Sequence, residues 1–108
     1  MEKKSAVTAQ EFNEERFTKV TVFKKDNSTM FVLNFMPGQK LPEHNHPGHE
    51  LYLHVARGTG RFTVDDETSG VAEGDVIHIG SEEKISFEND GTEPASIYVT
   101  MTRLPKQH

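Results

Sequence analysis

The sequence predicts an all-β domain, a sandwich or a barrel. Short segments rich in β-branched and aromatic residues recur roughly every eight to twelve residues, with Gly, Pro, Asn or Asp between them. No stretch carries apolar residues at helical spacing for more than about two turns, and Pro or Gly interrupts each candidate helix. At 108 residues the chain has the size of one domain with one core. Only 33% of it is apolar, below the roughly 45–50% of an average domain, so the core must lean on the seven Phe and two Tyr.

Residues 1–15 are polar and charged, with Phe12 their one large apolar group, and are expected to form a flexible arm or a short helical turn. A single domain is expected over 16–104, followed by a loose tail at 105–108. Phe17, Val20, Val22 and Phe23 sit among Thr and Lys and favour a first strand, which Asp26-Asn27-Ser28 turns into a hairpin. In its second arm, 29–36, Phe31, Leu33 and Phe35 alternate with Met30, Val32 and Asn34, giving one strongly apolar face and one mixed face. Pro37-Gly38 ends that strand. Further strands are predicted over 50–56, 60–64, 75–79, 84–88 and 96–103, separated by Gly-rich or acidic turns.

The net charge of -5, with Lys and Arg dispersed along the chain, lacks the cationic face that nucleic-acid binding requires. There is no cysteine, which excludes disulfides, thiolate ligands and a cysteine nucleophile. Any metal must therefore be held by imidazole and carboxylate. No apolar leader or membrane-length run is present, so the expected location is cytoplasmic, with no membrane partner.

Four of the six histidines fall in PEHNHPGHELYLH, between positions 44 and 54. On an extended backbone residues i and i+2 share a face, so His44 and His46 can aim at one point, and Pro47-Gly48 can bend the chain to bring Glu50 to it. Two imidazoles and a carboxylate leave coordination positions open, as in catalytic zinc and non-heme iron sites. The alternative is a solvated His-rich turn. His49 has the opposite parity to Glu50 and is expected at the surface or in a supporting position. His54 shares the parity of Glu50 and Tyr52 and is expected in a pocket or core, whereas His78 is expected in solvent.

These residues also resemble the cupin family. Its first motif runs Gly, five residues, His-x-His, three or four residues, Glu, six residues, Gly. Here Gly38 is followed by QKLPE, His44, Asn45, His46, Pro47-Gly48-His49 and Glu50. Seven residues, LYLHVAR, then precede Gly58, one more than the pattern, which calls for a bulge or a shifted turn. The second motif, Gly, five residues, Pro-x-Gly, two residues, His, three residues, Asn, is matched at its ends by Gly74-Asp75-Val76 and Asn89. Its middle differs: Gly80 replaces Pro, Glu82 replaces Gly, and Ile85 stands where the family has a ligand histidine.

The resemblance, over residues 38 to 89, implies an antiparallel jelly-roll barrel with a metal and substrate pocket inside it, and a homodimer. It implies His44, His46 and Glu50 as the ligands of a divalent transition metal (Fe, Mn, Ni, Zn or Cu). Strand parity and family analogy together make Tyr52, His54, Phe62, Ile85 and Phe87 the candidate walls for a small organic molecule. One fold hosts many chemistries, so two functions are implied: a metal-dependent enzyme such as a dioxygenase or isomerase, or, because Ile85 removes a ligand, a non-catalytic binding or sensing module with a weakened or absent metal site.

Overall fold

Nine strands pair into two antiparallel sheets in a computed structural model that describes residues 1–105. The strands are β1 (Thr18–Lys24), β2 (Ser28–Phe35), β3 (Lys40–His44), β4 (His49–Arg57), β5 (Thr59–Val64), β6 (Glu67–Ala72), β7 (Val76–Ile79), β8 (Ile85–Glu88) and β9 (Ala95–Arg103). Five form one sheet in the order β1-β2-β9-β4-β7, and four form the other in the order β3-β8-β5-β6. Among the described residues no strand belongs to both sheets, so the two face each other as in a sandwich, one of the two forms expected from the strand pattern, rather than closing into the barrel that the family resemblance implies. No helix among them is long and apolar enough to cross a membrane. Of the predicted tail 105–108, only Pro105 lies within the described residues.

The hairpin predicted at Asp26-Asn27-Ser28 forms, with β1 against β2 from Thr18↔Asn34 to Lys24↔Thr29. Two strands lie where the sequence predicts none, and both are sheet edges. In β3, Pro42 has no N–H to give a ladder, a loss that an edge tolerates. In β6 only Val71 is buried, so no apolar alternation marks it. The turn between β5 and β6 is the two-residue Asp65-Asp66, with both φ values positive (47° and 70°), the backbone that matches the twist of a tight hairpin.

The core lies between the sheets. Phe31, Leu33 and Phe35 of β2, Leu51, Leu53 and Val55 of β4, and Ile97 and Val99 of β9 meet Phe62, Ile85 and Phe87 from the opposite sheet. The other face of the hairpin is covered as well. A 3-10 turn at Val7–Ala9 puts Ala9 against Val22 and Val32. Beneath it Asn34 is fully buried. Its Nδ2 donates to the Ala9 carbonyl (2.8 Å) and to Thr18 Oγ1 (3.1 Å), and Ser96 Oγ donates to its Oδ1 (2.7 Å).

Asn34→Ala removes all three bonds and strands a buried carbonyl and a buried hydroxyl. A loss of about 2–3 kcal/mol in unfolding free energy is expected in urea denaturation, in the range for orphaned buried polar groups. A change below about 0.5 kcal/mol, the size of a surface substitution, would show that the network does not pin the N-terminal segment.

Candidate ligand pocket

The pleat of β4 decides which side chains reach the interior. Leu51, Leu53 and Val55 are buried between the sheets, whereas Tyr52 and His54 are exposed on the outer face. Glu50 shares their face. Its Oε2 lies 3.2 Å from Nε2 of His78, a neighbour on β7, and the Tyr52 and His78 rings sit 5.0 Å apart beside that pair. Glu50 is therefore not with His44 and His46. Tyr52 and His54 do not line the interior either: Tyr52 is 47% exposed, and His54 stands edge-on to Tyr98, with ring centroids 5.9 Å apart. His78 is exposed, as expected, although it has Glu50 as a partner.

His44 and His46 do come together. The pairing of β3 with β8 is irregular between Leu41↔Phe87 and His44↔Ile85, and this bulge at Pro42-Glu43 returns His44 to the face of Leu41. The His44 and His46 rings lie 4.5 Å apart at 72°, edge to face. His44 Nδ1–H donates to the Pro42 carbonyl at 2.8 Å, a bond that fixes the tautomer of the neutral ring and leaves its Nε2 with a lone pair. His46 Nδ1 is buried with no hydrogen-bond partner, alone in this among the side-chain N and O atoms of the described residues. His49, expected at the surface or in a supporting position, is half-buried at the start of β4, its Nδ1 3.1 Å from the Pro47 carbonyl.

These two imidazoles line a cavity of about 280 Å³ between the sheets. Leu51, Leu53, Ile85 and Val99 form its depth, and Phe31 and Lys19 stand with the histidines. The Lys19 ammonium lies 4.4 Å from the centre of the Phe31 ring. Of the five predicted wall residues only Ile85 lines this cavity. Phe62 and Phe87 are core side chains that pack on each other with centroids 4.7 Å apart. A larger depression of about 460 Å³ lies over the four-stranded sheet, where Glu88 pairs with Arg61 at 3.0 Å and with Lys40 at 3.6 Å.

The donor set does not fit a metal centre. Among the described residues no three His, Cys, Asp or Glu side chains are grouped so as to hold an ion. Ile85 pairs directly across from His44, so the second motif does face the first and brings a hydrocarbon there. Leu51 explains the other gap. Counting six residues back from Gly58, as the family motif does, arrives at Leu51 rather than Glu50, and Leu51 is the residue that points inward. The strand carries the expected irregularity, between Val55 and Arg57, but the pleat from Leu51 to Val55 is regular and keeps Glu50 outside.

The Cupin domain family matches residues 31–101. This chain belongs to the cupin family. The cupin superposes on the TT1209 protein of Thermus thermophilus with a TM-score of 0.90 at 23% identity, covering 97% of this chain and 100% of that one. A conserved protein with a double-stranded β-helix domain from Klebsiella pneumoniae gives 0.89 at 17% identity, covering 95% and 90%. An RmlC-like cupin protein from Desulfovibrio desulfuricans gives 0.84 at 25% identity, covering 94% and 96%. No curated protein matches the cupin.

Two features of the pocket escape sequence reasoning. The apolar residues of β1 that attract attention, Val20 and Val22, pack under the N-terminal segment, and Lys19, of the opposite parity, lines the pocket. Leu51 is signalled only by the seventh residue before Gly58.

Burial lowers the His46 pKa from its ordinary 6.5, and the charges of His44, His49 and Lys19 push the same way. The unfolded chain therefore binds this proton at a higher pH than the folded chain. This contribution to stability is complete above pH 6.5 and is lost as the pH falls through the lowered folded value. The melting temperature is expected to decline on acidification from pH 6.5, and His46→Asn to decline less steeply. Identical profiles for the two proteins would contradict the depressed pKa.

Proposed function

We propose that this cupin is a non-catalytic binding or sensing module that takes a small organic molecule between its sheets, the two halves of a jelly roll, without a metal ion. The observation that carries this reading is the pair Leu51 and Ile85. Both are buried against the cavity, at the two places where the family motifs carry a glutamate and a histidine. A cavity lined mainly by hydrocarbon with a few polar groups at one side is the usual form of a small-molecule site. Its volume of about 280 Å³ lies just under the roughly 300–1,000 Å³ of most such sites, which favours a compact ligand. Cytoplasmic location and a homodimer that meets neither nucleic acid nor membrane belong to the same reading, supported by the acidic net charge and by exposed Tyr52 and Val76 on the outer face.

The metal question is decided by restoring donors. Ile85→His is expected to raise zinc affinity at least tenfold, and Leu51→Glu with Ile85→His further still, with a melting temperature that rises with added zinc. The natural chain is expected to carry well under one transition-metal ion per molecule when purified without added metal. Elemental analysis finding one ion per natural chain would overturn the reading. Sedimentation at the mass of two chains checks the dimer, and a monomer at micromolar concentration would remove that part alone.

A further inference from the structure

Charge in the pocket is one-sided. Among the described residues Lys19 is its only lining residue with a formal charge, His44 and His46 are its only other polar side chains, and no carboxylate lines it. The remaining lining residues are Phe, Leu, Ile and Val, which offer no hydrogen bond. A sugar or polyol would have hydroxyl groups buried without partners, each costing about 1–3 kcal/mol, whereas a hydrocarbon body leaves nothing unpaired. An amine would meet an ammonium of the same sign. His46 Nδ1, buried and unpartnered, is better left as a lone pair than as an N–H. That tautomer places the ring proton on Nε2, a second donor beside Lys19.

Building on the binding-module reading, we infer that the ligand is a compact amphipathic monocarboxylate, with its carboxylate at Lys19 and the Nε2–H of His46 and its hydrocarbon body against Leu51, Leu53 and Ile85. One ammonium and one imidazole N–H match the two oxygens and single negative charge of a carboxylate. The Lys19 side chain already lies on the Phe31 ring at the pocket, so little rotamer freedom is lost when it meets the anion.

Hexanoate and 1-hexanol, which share a chain length and differ in head group, separate this inference from the reading beneath it. In calorimetric titration of the full chain at neutral pH, hexanoate is expected to bind at least tenfold more tightly than hexanol. Lys19→Met keeps the apolar stem at an exposed position and is expected to abolish that preference. Lys19→Glu is expected to make hexylammonium the better ligand. If hexanol matches hexanoate in the natural chain, or Lys19→Met leaves the preference intact, the carboxylate assignment is overturned and the binding module stands. If no probe binds the natural chain, while circular dichroism shows it folded, both fall.

Discussion

Strand β4 is hydrogen-bonded on both edges, to β9 and to β7, and its side chains alternate strictly between the interior and the outer surface from Glu50 to Val55. A strand held on two sides cannot turn one residue without moving its whole set to the other face. Such a slip would expose Leu51, Leu53 and Val55, at about 1.5–3 kcal/mol for each, and drive Glu50, Tyr52 and His54 into hydrocarbon. The outward position of Glu50 is thus imposed by three apolar neighbours and not by anything the carboxylate itself gains. Its contact with His78, half in solvent, is too exposed to hold the strand against that preference.

The two hydrocarbon replacements in the family motifs support each other. A carboxylate at position 51 would be buried beside Ile85 and Leu53, and only a cation or several donors could offset its desolvation. Without a third nitrogen at position 85, an ion that could supply the cation lacks one of its ligands. Loss of either donor therefore favours loss of the other, and Leu and Ile recover the apolar burial that an empty metal site forfeits. What persists of the motifs is their folding role. Gly38 N–H donates to the Asn89 carbonyl and Asn89 N–H to the Gln39 carbonyl, and buried Asn89 Nδ2 donates to the carbonyls of Phe35 and Glu93. Gly58, at φ 81°, packs so closely on Pro94 that an added Cβ would stand 2.5 Å from its carbonyl oxygen.

This division explains how far the sequence could be read. Seven of the nine strands announce themselves by β-branched and aromatic composition, and the hairpin by Asp26-Asn27-Ser28, because those signals are local. Strands β3 and β6 lie at edges, where little is buried and Pro42 or Ser69-Gly70 is tolerated, so composition does not mark them. His44 and His46 were legible as a pair, although by a different route: the i and i+2 rule assumes a regular strand, whereas His44 ends β3 after a bulge and His46 lies beyond it. Glu50 misleads because motif spacing allows three or four residues before the glutamate, and only the count back from Gly58 distinguishes the two registers. Tyr52 and His54 follow it, since their assignment rested on its parity.

The pocket that results has one wall of nitrogen and the rest of hydrocarbon, and that asymmetry sets what it can distinguish. Apolar lining separates ligands of similar size weakly, because a methylene more or less is worth only about 1–3 kcal/mol. Discrimination must come from the polar end, where His44 is fixed in one tautomer by the Pro42 carbonyl and burial, with the charge of Lys19, lowers the His46 pKa. An anion reverses the balance at these imidazoles, since negative charge favours the protonated ring that Lys19 and burial disfavour. Lys19, His44 and His46 are in this way coupled to one another through charge, and an anionic head group would shift all three together.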